Sequence, residues 1–325
     1  MADLKKGPRG LPAISRAREE RSRRGPRWTM RAGLTAAGAV VIGLLMHTIV
    51  SSRELDSDKQ ALLAKQRALQ ATLGVRWFPL RDRLEEDVLG AARAYAGDLV
   101  EPEARGGTFR TQPGLYLRMR VADAMTVTDI RRVAADAKKD AFASCLLREP
   151  NDPGLRGELD GGAFAEQPWN LGRAYAATKI LSDAWVRAVK DADGDMRMRV
   201  FSEQYDTAIR DEIPVAVDVV TRAQFFLLVL DEEVVDAEQT EAGLMTEEAL
   251  QLLQHPARVE VFDLRTNKEL LRLRRSGSSL VISTGERPVT DPETRDAMQR
   301  QANNCALAGL VESAMGPRGR DRGVP

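Results

Sequence analysis

The sequence predicts an α/β or α+β domain, with a mixed sheet of about five strands covered by helices, preceded by one transmembrane helix and a short helical stalk. Three observations lead to this prediction. An uncharged run of 21 residues lies near the N-terminus, leucines at helical spacing follow it, and short strand patterns then alternate with amphipathic helices. The chain of 325 residues, 43% of them hydrophobic, is long enough to bury a substantial core.

Five segments follow from this organisation. They are a disordered basic leader (1–31), a transmembrane helix (32–52), a helical stalk (53–99), a globular extracytoplasmic domain (100–315) and a disordered polar tail (316–325).

The membrane segment is predicted from Ala32–Ser52, which lies between Arg31 and Arg53. At about 1.5 Å per residue, such a helix crosses a hydrocarbon core of roughly 30 Å. Ten basic and three acidic residues precede it, and this asymmetry predicts a cytoplasmic N-terminus and a domain outside the cytoplasm. A buried core helix and a cleaved signal peptide are the alternatives. The length of the run favours an uncleaved anchor, because signal peptides have shorter apolar regions.

The leader is predicted to fix this orientation and to contact anionic lipid. It contains a single aromatic residue, Trp28, so the sequence predicts the lipid bilayer as a partner and no nucleic acid. The chain has no N-x-[ST] acceptor site, which favours a bacterial inner membrane and a periplasmic domain.

The stalk prediction rests on Leu55, Leu62 and Leu69, which are seven residues apart. This spacing fits a short coiled coil, or a helix that packs one face on its own domain. Ala39 and Gly43 form a small-xxx-small pair within the span. A homodimer through the span or the stalk is compatible with both patterns.

The domain itself is predicted from alternating strand and helix patterns. A helix over 80–99 follows Pro79, and 101–113 is a loop. Gly114–Val121 is a strand buried on one face, 224–230 a strand covered on both, 258–264 and 269–275 a hairpin, and 279–283 a fifth strand. Helices are predicted from residue 128 to Cys145, over 171–189, 202–210 and 246–253, and from about Thr290 to Met315. The segment 213–221 is ambiguous, and 149–170 is predicted as a long loop.

Catalytic motifs are few in this sequence. The two histidines are His47, inside the span, and His255, which precedes Pro256 and is predicted to sit at a helix end. The sequence contains no nucleophile elbow, phosphate-binding loop, dinucleotide fingerprint or zinc-protease motif. Asp231, Glu232 and Glu233 follow an apolar strand, where either a catalytic carboxylate or a simple surface strand end is expected.

The nearest pattern to a metal site is Asp191, Asp193 and Asp195, whose spacing matches the first carboxylates of a calcium loop. Met196 and Ser202 stand where such a loop needs Gly and Glu. The alternative is an acidic turn at a helix end. No cofactor is therefore predicted, with calcium as the alternative.

Cys145 and Cys305 are both predicted on apolar helix faces. In an oxidising compartment they form a disulfide, and otherwise they are two buried thiols. The sequence thus favours a non-catalytic domain that binds another envelope protein. The alternatives are a small-molecule-binding or sensing domain, in which Tyr116, Arg118 or Arg120 would converge on a pocket, and a carboxylate-based enzyme.

Overall fold

The computed structural model describes residues 26–105, 107–147, 168–233, 246–279 and 291–316, with the backbone alone for 26–52 and 108. The protein has an α+β fold, in which helices cover a six-stranded mixed sheet. Helices and strands do not alternate regularly, because β4, β5 and β6 form a consecutive antiparallel unit.

The elements have the following bounds. The helices are α1 (Pro26–Ala92), α2 (Pro102–Arg105), α3 (Val127–Ala134), α4 (Ala141–Leu147), α5 (Gly172–Ala177), α6 (Asp183–Lys190), α7 (Asp195–Thr207), α8 (Ile213–Arg222), α9 (Glu247–Leu250) and α10 (Pro292–Met315). The strands are β1 (Leu99–Val100), β2 (Gly114–Arg120), β3 (Trp169–Asn170), β4 (Phe225–Asp231), β5 (Pro256–Asp263) and β6 (Lys268–Ser276).

The strand order is β1-β6-β5-β4-β2-β3. Strand β2 runs parallel to β3 and β4, and the remaining neighbours are antiparallel. Arg120 therefore lies opposite Asp231, at the shared carboxyl end of β2 and β4. The two additional strands relative to the sequence prediction, β1 and β3, are two-residue pairings at the sheet edges, and such short pieces have no readable periodicity.

The sheet separates two hydrophobic cores. Leu115, Leu117 and Met119 face the core under α1, α3 and α5–α8, here called the first core. Tyr116 packs into the second core, which lies under α4 and α10. The prediction that the strand at Gly114–Val121 has one exposed face was wrong. Strand β2 is buried on both faces, because α4 and α10 cover the side that carries Tyr116 and Arg118.

Helix α1 corrects two further predictions. The helix continues through Pro79, where we expected a new helix to begin, and it ends at Ala92 rather than residue 99. Proline removes a single backbone hydrogen bond, and the burial of Trp77 and Leu84 on either side favours continuity. Leu99 pairs instead with Arg272 of β6.

The leucines of the predicted stalk pack on the domain itself. Leu62 is 4% exposed in the first core, and Leu55, Leu69 and Leu73 pack partly against it. This is the packing that we weighed against a coiled coil. The structure contains one chain, so homodimerisation stays a prediction.

A buried carboxylate near the C-terminal end of α1 joins this helix to α3. Both Glu85 oxygens accept hydrogen bonds of 2.8 Å from Arg131, and Tyr175 Oη donates to Glu85 Oε1 over 3.3 Å. Glu85 is 2% exposed, so the pairing compensates for the loss of its hydration.

Within the parts of the chain whose side chains are described, no helix carries an apolar stretch long enough to cross a membrane. The predicted span, Ala32–Ser52, lies outside those side chains, although its backbone forms part of α1. The leader up to residue 25, much of the 149–170 loop, most of the 279–283 strand and the tail from residue 317 also lie outside the described residues.

Several of the remaining predictions are confirmed, but the helix predicted over 171–189 is two α-helices, α5 and α6, with a 3-10 turn between them at Thr178–Leu181. Strand β4 and the β5–β6 hairpin lie where expected, and Asn267 takes the left-handed φ of 57° that the hairpin turn requires. Asp291 caps α10 by accepting from the Thr294 amide. The segment 213–221, which the sequence left ambiguous, forms helix α8. The helix predicted from residue 128 to Cys145 is instead two helices, α3 and α4, with Thr126 capping the first.

Candidate functional site

The candidate site begins with an arginine buried at the end of the parallel strands. Arg118 of β2 is 1% exposed and Asp231 of β4 is fully buried. Arg118 Nε and Nη2 each donate to one Asp231 oxygen over 2.8 Å, which makes a bidentate pair. The parallel pairing of β2 with β4 sets this geometry, since it places both side chains on the same face.

The third guanidinium nitrogen extends the network toward the surface. Arg118 Nη1 donates to Asp140 Oδ2 and to Asn304 Oδ1, each over 2.6 Å. Asp140 Oδ1 accepts from Tyr116 Oη at 2.8 Å and from the Phe142 amide at 2.9 Å. One arginine therefore connects the sheet to the start of α4 and to the middle of α10.

His255 completes the network from the opposite side. Its Nε2 lies 2.8 Å from Asp231 Oδ1, and its Nδ1 lies 3.1 Å from the Leu253 carbonyl oxygen. Both neighbours accept hydrogen bonds, so the geometry is satisfied when both ring nitrogens carry protons. The prediction that His255 lies at a helix end was wrong, because α9 ends at Leu250; the imidazole is instead the partner of a buried carboxylate.

Electrostatics agree with this arrangement of charge. Burial acts to raise the pKa of Asp231, but Arg118 and His255 outweigh it and lower that pKa to about 2. Burial acts to lower the pKa of Arg118, and Asp231 and Asp140 hold it well above its usual value. Both groups are therefore charged at neutral pH. Burial and the Asp140 carboxylate raise the pKa of Tyr116, so it remains a neutral donor.

A cleft of about 500 Å³, here called the polar cleft, opens above this network. Its polar walls come from the segment before α4, from α9 and from α10, and they include Lys138, Asp140, Glu247, Gln251, Arg300 and Asn304. Lys138 pairs with Glu248 over 3.3 Å, and Gln251 donates to Glu247 over 3.1 Å. Arg300 is half-buried and forms no ion pair with a described residue.

This arrangement is suited to holding a polar ligand. Asp140, Asn304 and Gln251 belong to the cleft wall and are anchored by the buried network or by each other. Arg118 and Asp231 lie beneath the wall, and they are not among the residues that line the cleft. Their charges cancel within the protein, and their main effect is to position the residues above them.

The residues predicted to converge on a pocket separate into two groups. Tyr116 and Arg118 lie under the polar cleft, whereas Arg120 pairs with Asp123 over 2.6 Å and with Glu233 over 3.4 Å. Among the predicted catalytic carboxylates, Asp231 joins the network. Glu232 forms ion pairs with Arg258, over 2.6 Å, and with Arg274, so it belongs to a separate group of ion pairs nearer the surface.

The three aspartates of the calcium pattern occupy the turn between α6 and α7. Asp191 is the C-cap residue of α6, Asp195 is the first residue of α7, and Asp193 pairs with Arg197 over 3.6 Å. The described residues contain no cluster of three side chains placed to hold a metal ion. The expectation of no cofactor, with calcium as the alternative, stays a prediction of the sequence.

Cys145 and Cys305 lie beside the polar cleft. Their Cα atoms are 5.2 Å apart, and the structure records a disulfide between them. The bond joins α4 to α10, the two helices that cover one face of the sheet. Ala141 and Gln301, one helical turn before each cysteine, line the cleft, so the bond holds two of its walls together.

Glu247 gives this cleft a testable pH dependence. Burial and the nearby Asp231 charge raise the pKa of Glu247 to about 7, from 4.5. Between these two pH values the folded state retains a proton that the unfolded state releases, so this group's contribution to stability declines as pH rises from about 4.5 to about 7. We expect Glu247→Gln to abolish that part of the decline, as measured by urea unfolding across this range. Equal slopes for Glu247→Gln and the wild type would contradict the assignment.

Asp140, Asn304 and Gln251 were missed by sequence reasoning. Each is a polar residue beside an apolar helix pattern, which resembles an ordinary helix end or surface. The one available signal was Arg118 within an apolar strand, since a buried guanidinium requires carboxylate partners. Its partners lie 22 and 113 residues away, which the sequence does not reveal.

Comparison of the chain with protein-family models, with curated proteins and with solved structures finds no match.

Proposed function

We propose that this chain is a single-pass bacterial inner-membrane protein whose periplasmic domain is a non-catalytic protein-interaction module. One observation carries the proposal. Helix α1 continues without a break from the uncharged run at Ala32–Ser52 to Ala92, where its side chains belong to the first core. An anchor and a domain that share one helix hold the domain at a fixed distance from the bilayer.

Two further observations support it. The Cys145–Cys305 disulfide is suited to an oxidising compartment, and the charge asymmetry of the leader predicts that the domain lies outside the cytoplasm. Arg118, Asp231 and His255, the grouping that most resembles catalytic machinery, are engaged with one another in the interior. The carboxylate-enzyme hypothesis would instead assign chemistry to Asp140 and Glu247, which line the polar cleft.

The topology experiment tests this proposal directly. A reporter enzyme that is active only outside the cytoplasm is fused after Pro325 in one strain and after Arg31 in a matched control. We expect activity from the first fusion alone, with the full-length product in the membrane fraction. Inactivity of the Pro325 fusion would reverse the orientation. A soluble product shortened by about 50 residues would show a cleaved signal peptide instead.

The second candidate function is binding of a small molecule, and the polar cleft is the observation that favours it. Its volume of about 500 Å³ lies within the usual range for ligand sites, and Tyr116 and Arg118 lie beneath its wall, where they hold Asp140 in position. Arg300, which lines the cleft without an ion-pair partner among the described residues, is the cation available to an acidic ligand.

A further inference from the structure

A second cavity lies on the opposite side of the sheet from the polar cleft. It is bounded by the last turns of α1, the residues that follow them, and the β5–β6 hairpin. Its volume is about 270 Å³, and its charged and aromatic lining residues include Asp87, Tyr95, Glu260, Phe262, Glu269 and Arg272. We call it the carboxyl cavity.

The carboxyl cavity has more acid than its own cations neutralise. Arg272 is the one basic residue among its described lining residues, and its Nε lies 3.0 Å from Glu269 Oε1. Glu260 is 3% exposed, yet no described residue donates a hydrogen bond to it or forms an ion pair with it. A buried carboxyl group without a partner is costly, which makes Glu260 the residue that most requires an explanation.

Three buried polar atoms without a hydrogen-bond partner belong to residues that line this cavity. Asp87 Oδ2 is buried without a hydrogen-bond partner, as are Glu269 Oε1 and Arg272 Nε. The last two atoms are close enough for an ion pair, but their mutual geometry is not that of a hydrogen bond. Asp87, Glu260 and Glu269 therefore place three partly or fully buried carboxyl groups around one cavity, with capacity to accept further hydrogen bonds, and the exposed Glu86 adds a fourth carboxyl group to the lining.

Apart from Glu86, the rest of the lining is apolar. Phe262 stacks against Phe226 and supplies ring surface, and Gly90, Ala91, Ala94 and Ala96 supply small walls. The described residues contain no group of three acidic, histidine or cysteine side chains placed to hold a metal ion. Carboxylates beside aromatic and aliphatic surface instead match an alkylammonium group, which combines positive charge, several donors and a hydrocarbon chain.

We propose that the carboxyl cavity binds a small organic amine, with its ammonium group among Asp87, Glu260 and Glu269 and its alkyl chain against Phe262 and the small residues. The bound amine supplies the charge and the donors that the free cavity lacks. It also connects the end of α1 to the β5–β6 hairpin. The site is independent of the membrane anchor, so failure of the topology experiment and failure of this proposal are distinguishable.

The carboxyl groups of the cavity are expected to release protons when an amine binds. Burial and the Glu269 charge raise the pKa of Glu260 to about 8, and burial, opposed by Arg83, raises the pKa of Asp87 to about 6. An ammonium ion favours the ionised forms, so amine binding near neutral pH displaces protons. The charged or titratable groups that face this cluster are Arg83, Glu86 and Asp87 of α1, Tyr95 after it, Arg258 and Glu260 of β5, and Glu269 and Arg272 of β6.

The experiment is calorimetric titration of the full-length chain in detergent micelles. The probes are butylamine and 1,4-diaminobutane, with 1,4-butanediol and butyrate as uncharged and anionic controls. We expect saturable binding of both amines and none of either control. Binding at neutral pH should release protons, detected as heats that differ between buffers of different ionisation enthalpy, and affinity should rise from about pH 6 to about pH 8.

Variants locate the binding site. We expect Glu260→Gln to weaken amine binding by about tenfold or more and to reduce the proton release, because it removes a charged acceptor. Glu247→Gln is the matched control, since it removes another carboxyl of raised pKa from the polar cleft. Asp87→Asn provides a second variant, and thermal unfolding checks that each variant is folded. The absence of amine binding by the wild type, or binding unchanged by both cavity variants, would overturn the proposal.

Discussion

Reduction of the Cys145–Cys305 disulfide is expected to lower the free energy of unfolding by about 5 kcal/mol. The bond joins two residues that are 160 positions apart in the sequence, and the chain-entropy model gives this value for a loop of that length. Both cysteines are only partly buried, so a reductant can reach them. The measurement is guanidinium unfolding of the full chain in detergent, with and without dithiothreitol.

The variant Cys145→Ala/Cys305→Ala serves as the control for this experiment. It should unfold at the lower denaturant concentration in both buffers, because it has no bond to lose. Alkylation of the denatured, unreduced wild type should label neither cysteine. Labelling of both, or identical unfolding of the wild type with and without reductant, would show that the thiols are free.

Replacement of Arg118 by Met is expected to destabilise the domain by about 3–5 kcal/mol. The substitution leaves Asp231 fully buried with His255 as its remaining hydrogen-bond partner, and Asp140 loses its ion pair with Arg118. The cost arises from an uncompensated buried charge rather than from lost packing, since Met fills most of the same volume. Urea unfolding at neutral pH measures the loss.

A double variant separates charge from shape in this test. Arg118→Met/Asp231→Leu removes both members of the bidentate pair, and we expect it to be more stable than Arg118→Met alone. Arg222→Met is the surface control. Arg222 pairs with Asp218 in an exposed position, where the expected cost is about 0–1 kcal/mol. Equal losses for Arg118→Met and Arg222→Met would show that the buried network contributes little.

The predictable part of this fold is the part with local signals. The run around Phe226 and Leu228, the Asn267 turn and the Asp291 cap each act within a few residues, and the structure has them where the sequence predicted. Leu99 shows the limit. The sequence pattern continued the preceding helix through Leu99, but this residue forms a two-residue strand. It pairs with Arg272 at the free edge of β6, which lies far along the chain.

The candidate site was less predictable for a physical reason. Arg118 alternates with apolar residues, so the sequence predicted that it faces solvent. Its burial depends on Asp140, Asp231 and Asn304 being assembled from three separate elements, and no short-range pattern encodes that assembly. The same holds for the carboxyl cavity, where Asp87 meets Glu260 and Glu269 only after α1 packs on the hairpin. Charge compensation between distant segments is a property of the fold.

Helix α1 also fixes a rotational phase between the apolar run and the domain. A helix turns about 100° and rises about 1.5 Å per residue. One residue inserted between Ser52 and Leu55 would therefore rotate the domain about the helix axis by more than a quarter circle, and would change its distance from the apolar run by only about 1.5 Å. Seven inserted residues would restore the rotational orientation of the domain to within about 20° and increase its distance from the apolar run by roughly 10 Å. The direction in which the domain presents each surface is therefore set by residue count along a single helix.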